Sequence, residues 1–304
     1  MKNVLFGLIA IAAMTQQTPQ RAQPPAADTE VYLGDLAAAQ ASRKTGAVAD
    51  LTLVNISNNP GYNNQPSFTP DGRAVLFSSN RDGKQTDIYR YDIASKALTQ
   101  LTHTTESEYS PLVTPDGKGF SVIRVEADKT QRLWRFDLDG TNPRLVLENI
   151  KQVGYHVWID DHRLALFVVG TQGQPSTLQL ADTTTGTAVV IDRNIGRSLL
   201  KRPGGNTISY VSKQTTPWMV KEFDPDTKEI RDLTPVVNGS EDCAWQTGSR
   251  LLMAHDAKIF LWDKTGTAWT ETGDFSSSGV KNITRLAVTR FGQPVFAFVA
   301  EPVK

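Results

Sequence analysis

The stretch Gln65-Pro-Ser-Phe-Thr-Pro-Asp-Gly-Arg-Ala-Val-Leu-Phe-Ser-Ser-Asn-Arg-Asp-Gly83 places apolar runs on both sides of a tight turn. Pro70 presets a turn-compatible φ, Asp71 can bond the backbone ahead of it, and Gly72 accepts a left-handed conformation. Pro-Asp-Gly therefore reads as the corner between two short strands. Downstream, Ile88-Tyr-Arg-Tyr-Asp92 is rich in aromatic and β-branched residues and ends on a turn-forming Asp, which reads as a third strand. The pattern then returns: Pro115-Asp116-Gly117 repeats the turn and Leu133-Trp-Arg-Phe-Asp137 repeats the third strand, each 45 residues on.

The Asp-terminated strand also recurs at Val31–Asp35, Leu178–Asp182, Val220–Asp224 and Ile259–Asp263. From Asp35 to Asp263 its successive copies are 57, 45, 45, 42 and 39 residues apart. Weaker forms of the turn appear at Asp160–His162, Pro203–Gly205, Thr247–Ser249 and Arg290–Gly292. A period of about 40–45 residues is that of a four-stranded propeller blade. Six turns and six Asp-terminated strands predict an all-β, six-bladed β-propeller with strands a to d in each blade. The chain order also predicts how the ring closes. It opens with a c-like strand from Glu30 and a d-like strand over Asp50–Ile56, and it ends with an a-like strand, Arg285–Thr289, and a b-like strand, Val295–Ala300. The two halves together make one composite closing blade, which removes two exposed sheet edges. The expected domains are residues 1–27 as leader and spacer and 28–304 as propeller.

The stretch Gln65–Gly83, with Asp87-Ile-Tyr89, Leu98-Thr-Gln-Leu-Thr102 and the second copy over Ser110–Phe120, resembles the TolB-type, WD40-like (PD40) propeller repeat. The resemblance implies the propeller fold, and it leaves the activity open because the repeat serves unrelated roles. TolB proteins carry an additional N-terminal α/β domain, whereas Asp28–Thr52 leaves room only for closing strands, so a propeller domain alone is expected. Similar propellers cap prolyl-oligopeptidase-type peptidases, but the Gly-x-Ser-x-Gly elbow of their hydrolase domain is not in this sequence.

Composition bounds the function. Hydrophobic residues make up 39% and charged residues 21% of 304, enough for a real core. Lys plus Arg and Asp plus Glu both number 32, so no overall basic field gathers nucleic acid or anionic lipid. The single cysteine, Cys243, excludes a disulfide framework and a multi-cysteine zinc site. Met1 and Lys2 lead into the apolar run Val4–Ala13, which is too short to span a bilayer, and then into a polar, Pro-containing stretch over residues 16–27. That outline is a secretory signal peptide followed by a flexible spacer, predicting a periplasmic or secreted protein.

In a propeller, the d-to-a and b-to-c connections share one face, where the inner strands enter the central channel. This face is predicted to carry the binding site, with Glu108, Tyr109, Tyr155, His156, Arg197, Glu241 and Asp242 around the channel mouth. Arg197 is read as the one strong cation deep in that ring. The mixture suits an envelope or secreted protein or peptide, or a small polar ligand. No catalytic residue, metal or other cofactor is assigned. His156 and His162 lie at opposite ends of one strand, about 20 Å apart, and cannot share an ion. A calcium ion held by Glu108, Glu241, Asp242 and backbone carbonyls is the alternative. The expectation is thus a monomeric, noncatalytic binding scaffold without nucleic acid or membrane span. The competing reading is a small lyase or hydrolase acting on a saccharide or lactone at the channel mouth.

Overall fold

The computed structural model describes residues 28–35, 53–81, 83–289 and 295–303. The expected leader and spacer over residues 1–27 lie outside the described residues, as do Asp50–Thr52, Asp82 and the Arg290–Gly292 turn.

The described residues begin with β1 (Glu30–Asp35) and β2 (Val54–Asn55). Blade 1 follows as β3 (Asn63–Phe68), β4 (Ala74–Ser79), β5 (Asp87–Asp92) and β6 (Leu98–Gln100), and blade 2 as β7 (Ser107–Val113), β8 (Gly119–Val125), β9 (Gln131–Asp137) and β10 (Arg144–Leu145). Blade 3 comprises β11 (Val153–Trp158), β12 (Arg163–Val168), β13 (Thr177–Asp182) and β14 (Thr187–Arg193). Blade 4 comprises β15 (Ile195–Lys201), β16 (Ile208–Ser212), β17 (Met219–Phe223) and β18 (Ile230–Pro235). Blade 5 comprises β19 (Cys243–Trp245), β20 (Arg250–His255), β21 (Lys258–Asp263) and β22 (Thr270–Asp274), and the chain ends with β23 (Val280–Val288) and β24 (Val295–Pro302). The strands form six four-stranded sheets, and the last has the order β2-β1-β24-β23. The fold is a six-bladed β-propeller, closed as the sequence predicts.

Closure is a continuous ladder. β1 pairs antiparallel with β24 from Glu30↔Ala300 to Asp35↔Val295. Among the described residues the d-like strand pairs at Val54–Asn55. The a-like strand differs in extent, starting at Val280 instead of Arg285. That longer start follows its neighbour, because β24 continues to Pro302 and pairs Val280 and Lys281 with Pro302 and Glu301.

The repeat residues have direct local roles. Thr69 and Asp71 lock the Pro-Asp-Gly corner: the Thr69 hydroxyl donates to Asp71 Oδ1 at 2.6 Å, and the Arg73 amide donates to the same oxygen at 3.1 Å. Thr114 and Asp116 repeat this at 2.7 Å, with the Lys118 amide at 3.1 Å. Gly72 and Gly117 sit at φ +70° and +67°, where a side chain would be strained. The terminal Asp residues cap the c-to-d turns, accepting amides of Ser95 onto Asp92, Thr184 onto Asp182, Asp226 onto Asp224 and Thr265 onto Asp263.

The core lies between blades rather than within one sheet. Six buried clusters each join adjacent blades: Leu76 and Ile88 pack on Phe120 and Phe136, and Ile123 and Leu133 pack on Leu164 and Leu166. Ala165 and Leu178 meet Tyr210 and Phe223, and Val211 and Val220 meet Met253 and Trp262. The closing blade joins both neighbours, with Tyr32, Phe296 and Phe298 against Ile259 and Phe275, and Val31, Leu33 and Val299 against Val75 and Phe77. Polar stitches cross the same joints, where Trp158 Nε1 donates to Ser121 Oγ at 2.9 Å and Trp245 Nε1 to Ser209 Oγ at 2.7 Å. These indoles are spent inside the ring.

Candidate functional site

The inner strands surround a channel of two chambers. The upper one, about 640 Å³, is lined by residues at or near the d-to-a and b-to-c connections, including Tyr62, Tyr109, Gln131, Val169, Asn194, Lys213 and Glu241. The lower one, about 440 Å³, runs along the inner strands towards the opposite face, past Pro66, Phe68, Leu112, Leu199 and Val288. Gln65, Tyr155 and Arg197 border both and form a waist.

Backbone irregularity builds this waist. Gln65, Ser110 and Arg285 adopt φ of +56°, +53° and +54° where the inner strands β3, β7 and β23 slip register. Each bulge leaves an amide that the ladder does not use. The Ser110 amide donates to Gln65 Oε1 at 3.1 Å, so a side chain of the neighbouring blade satisfies it. In the same manner the Arg197 amide donates to Glu241 Oε2 at 2.9 Å. Gly196 allows this, because a Cβ there would lie 2.8 Å from that oxygen.

An ionic network fills the waist. Arg197 donates to Asp242 in a fork, from Nε at 3.1 Å and from Nη2 at 2.6 Å. Arg285 Nη1 lies 3.8 Å from Asp242 Oδ1, its Nη2 donates to the Tyr155 hydroxyl at 2.7 Å, and its guanidinium stacks 4.7 Å from the Tyr155 ring centre. At the rim Lys213 Nζ reaches Glu241 Oε1 at 2.5 Å and lies over the Trp218 ring. Burial would raise the Asp242 carboxyl, but its bonds to Arg197 and the charge of Arg285 hold it below the usual carboxylate range. Burial would likewise lower the Arg197 guanidinium, and Asp242 holds it above its ordinary value.

Of the residues expected at the mouth, Tyr109, Tyr155, Arg197 and Glu241 line the upper chamber. His156 and Asp242 line the lower one beside Tyr155 and Arg197. His156 is buried with Nε2 2.7 Å from Ser121 Oγ, and burial pushes its imidazole down to about 3, so it is neutral. Glu108 borders neither chamber. It is fully buried between blades 1 and 2, accepting from Arg124 Nε at 3.0 Å and Thr104 Oγ1 at 2.6 Å. Burial raises its carboxyl to about 7 against the pull of Thr104 and Arg124.

Three further corrections concern charge and direction. Arg197 is not the sole strong cation of the ring: Arg285 stands beside it, buried to 14% side-chain exposure. Position 285 was legible as an inner-ring site from its place in the a-like strand, but its inward direction depends on the bulge. Second, adjacent residues on a regular strand point to opposite faces, yet Glu241 and Asp242 both bond Arg197. They precede β19, where no ladder imposes alternation. Third, the Arg197 guanidinium is already engaged, because Asp242 holds it in a fork. Its removal is therefore expected to cost stability. Among the described residues, no group of three or more His, Cys, Asp or Glu side chains is arranged to hold a metal ion.

Comparison with known proteins is consistent with this geometry. Residues 47–186 match the family model of the TolB β-propeller domain (PD40). A solved structure from Agrobacterium tumefaciens, assigned as TolB, superposes with a TM-score of 0.67 at 15% identity, covering 90% of this chain and 98% of that one. Residues 47–186 thus carry a TolB-type (PD40) propeller repeat, and the chain shares the fold of that solved structure. The propeller is also similar to a gluconolactonase from Xanthomonas campestris, with a TM-score of 0.62 at 10% identity over 93% of this chain and 99% of that one. A fold shared at such identity does not choose between binding and catalysis. In sequence, an uncharacterized protein of Agrobacterium fabrum is 27% identical over 94 residues, 29% of this chain, and the match spans about a third (32%) of that relative's length. No helix among the described residues is long and apolar enough to cross a membrane.

Proposed function

We propose that this protein is an exported, noncatalytic binding scaffold that engages a protein or peptide at the upper chamber. The observation that carries the reading is the chamber itself, about 640 Å³ on the face of the d-to-a and b-to-c connections. Three tyrosines line it: Tyr62 and Tyr109 meet edge-to-face with centroids 5.9 Å apart, and Tyr155 packs on Phe167 at 5.5 Å. Rigid aromatic rings beside paired charges offer apolar area and hydrogen bonds at low entropic cost, as at binding hot spots.

The test is selection of binding peptides from a random displayed library against the full propeller. Tyr62→Ala and Tyr109→Ala should each weaken a selected peptide by about 2 kcal/mol. Lys118→Ala with Lys228→Ala alters the opposite face and should leave binding unchanged. Loss of binding in the lysine variant alone would place the site on the wrong face. Export is supported by the Val4–Ala13 run behind Lys2. Material from the native host should be found outside the cytoplasm with an intact mass that lacks Met1; a full-length cytosolic mass would end that part of the reading.

A further inference from the structure

The whole chain is electrically neutral, with 32 basic and 32 acidic residues. Its channel is not. The described residues lining the two chambers include four cations, Arg197, Lys201, Lys213 and Arg285, but only two carboxylates, Glu241 and Asp242. Lys213 and Glu241 neutralise each other at the rim. At the waist, Arg197 and Arg285 share the single carboxylate of Asp242, which leaves one buried positive charge over. An uncompensated charge in such surroundings is unfavourable until an anion joins it.

The same place holds donors that no described residue uses. Arg197 engages Asp242 through Nε and Nη2, leaving Nη1. Gln65 accepts the Ser110 amide through Oε1, leaving its Nε2 donor at the border of both chambers. The Tyr62 hydroxyl bonds no described residue, and Tyr62 lines the upper chamber beside Arg197. Donors from three inner-strand regions thus face a site with a positive surplus, above a tyrosine-lined space.

We infer that the waist of the channel is an anion site that takes the carboxylate of an incoming ligand, such as an acidic peptide side chain or a chain terminus, between Arg197, Arg285, Gln65 and Tyr62. The inference rests on the upper chamber being the binding site and names the group that chamber selects. A carboxylate is planar and matches the fork of a guanidinium in two parallel bonds.

The experiment uses the full protein and glutarate as probe, titrated calorimetrically beside its neutral isostere glutaramide and beside inorganic phosphate. Glutarate should bind with an affinity that falls as salt rises, and glutaramide about tenfold or more weakly. Tyr62→Phe should weaken glutarate several-fold with unchanged melting. Arg285→Gln should weaken it further, and the tyrosine variant keeps the test valid if that protein does not fold. Equal binding of glutarate and glutaramide, or phosphate binding as tightly as glutarate, overturns the inference. If glutarate binds while no library peptide does, the anion site stands and the peptide reading falls. If peptides bind at the chamber regardless of acidic residues while glutarate does not, the anion site falls alone.

Discussion

A chain lacking residues 28–56 should lose cooperative unfolding and aggregate. The segment supplies the third strand of the closing blade, paired along β24 from Glu30↔Ala300 to Asp35↔Val295. Val31 and Leu33 pack towards blade 1 and Tyr32 towards blade 5, so one short strand serves both joints of the closing blade. Val31, Tyr32, Leu33 and Ile56 are all buried, and side chains of this kind contribute about 1.5–3 kcal/mol each. Their sum is comparable to the whole stability of a domain, about 5–15 kcal/mol. Deletion also leaves β24 as an open edge bearing Phe296, Phe298 and Val299, a template for pairing between molecules. Size-exclusion chromatography and thermal melting of the truncated chain decide the matter. A monomer with unchanged cooperative melting contradicts closure by these strands.

Asp242→Ala should be the most damaging single substitution at the channel, at about 3–5 kcal/mol, because it leaves two largely buried guanidiniums without their carboxylate. Asp242→Asn preserves shape and one acceptor and should cost less. The pH dependence has a definite sign. The folded carboxyl is held below its ordinary range, so its contribution is present above the unfolded-state value and is lost as pH falls through the folded one. The stability gap between the native chain and the Asn variant should therefore narrow on acidification. Urea melts at several pH values measure this gap, and a gap that is flat or widens towards acid contradicts the assigned role.

The fold was legible because its period is written in local chemistry. Pro70-Asp71-Gly72 and Asp92 each specify a turn through bonds made within a few residues, and those bonds appear as expected. The order of the half-blades at the two ends sufficed to predict the composite sheet. The site was legible only in outline. Tyr155 and Arg197 follow from the place where inner strands enter the channel, but which way a side chain turns depends on bulges at Gln65, Ser110 and Arg285. A bulge breaks the period of two on which directional reading relies. Hence strict alternation would send Glu241 and Asp242 to opposite faces, whereas both bond Arg197, and Arg285 stands beside them. Glu108 shows the converse: its polarity suggested a mouth residue, whereas its partners Arg124 and Thr104, separated from it by 16 and 4 residues, take it into the joint between two blades.

The central claim is that ligand enters at the upper chamber, and amide hydrogen exchange tests it most directly. Mass spectrometry would follow exchange in the full protein with and without a library-selected peptide. The account predicts slowed exchange over Tyr62–Gln65, around Tyr109 and over Asn194–Arg197, the segments that border the chamber. Slowing confined to the Pro70–Arg73 and Pro115–Lys118 turns, with these segments unchanged, would place the ligand on the opposite face and contradict it.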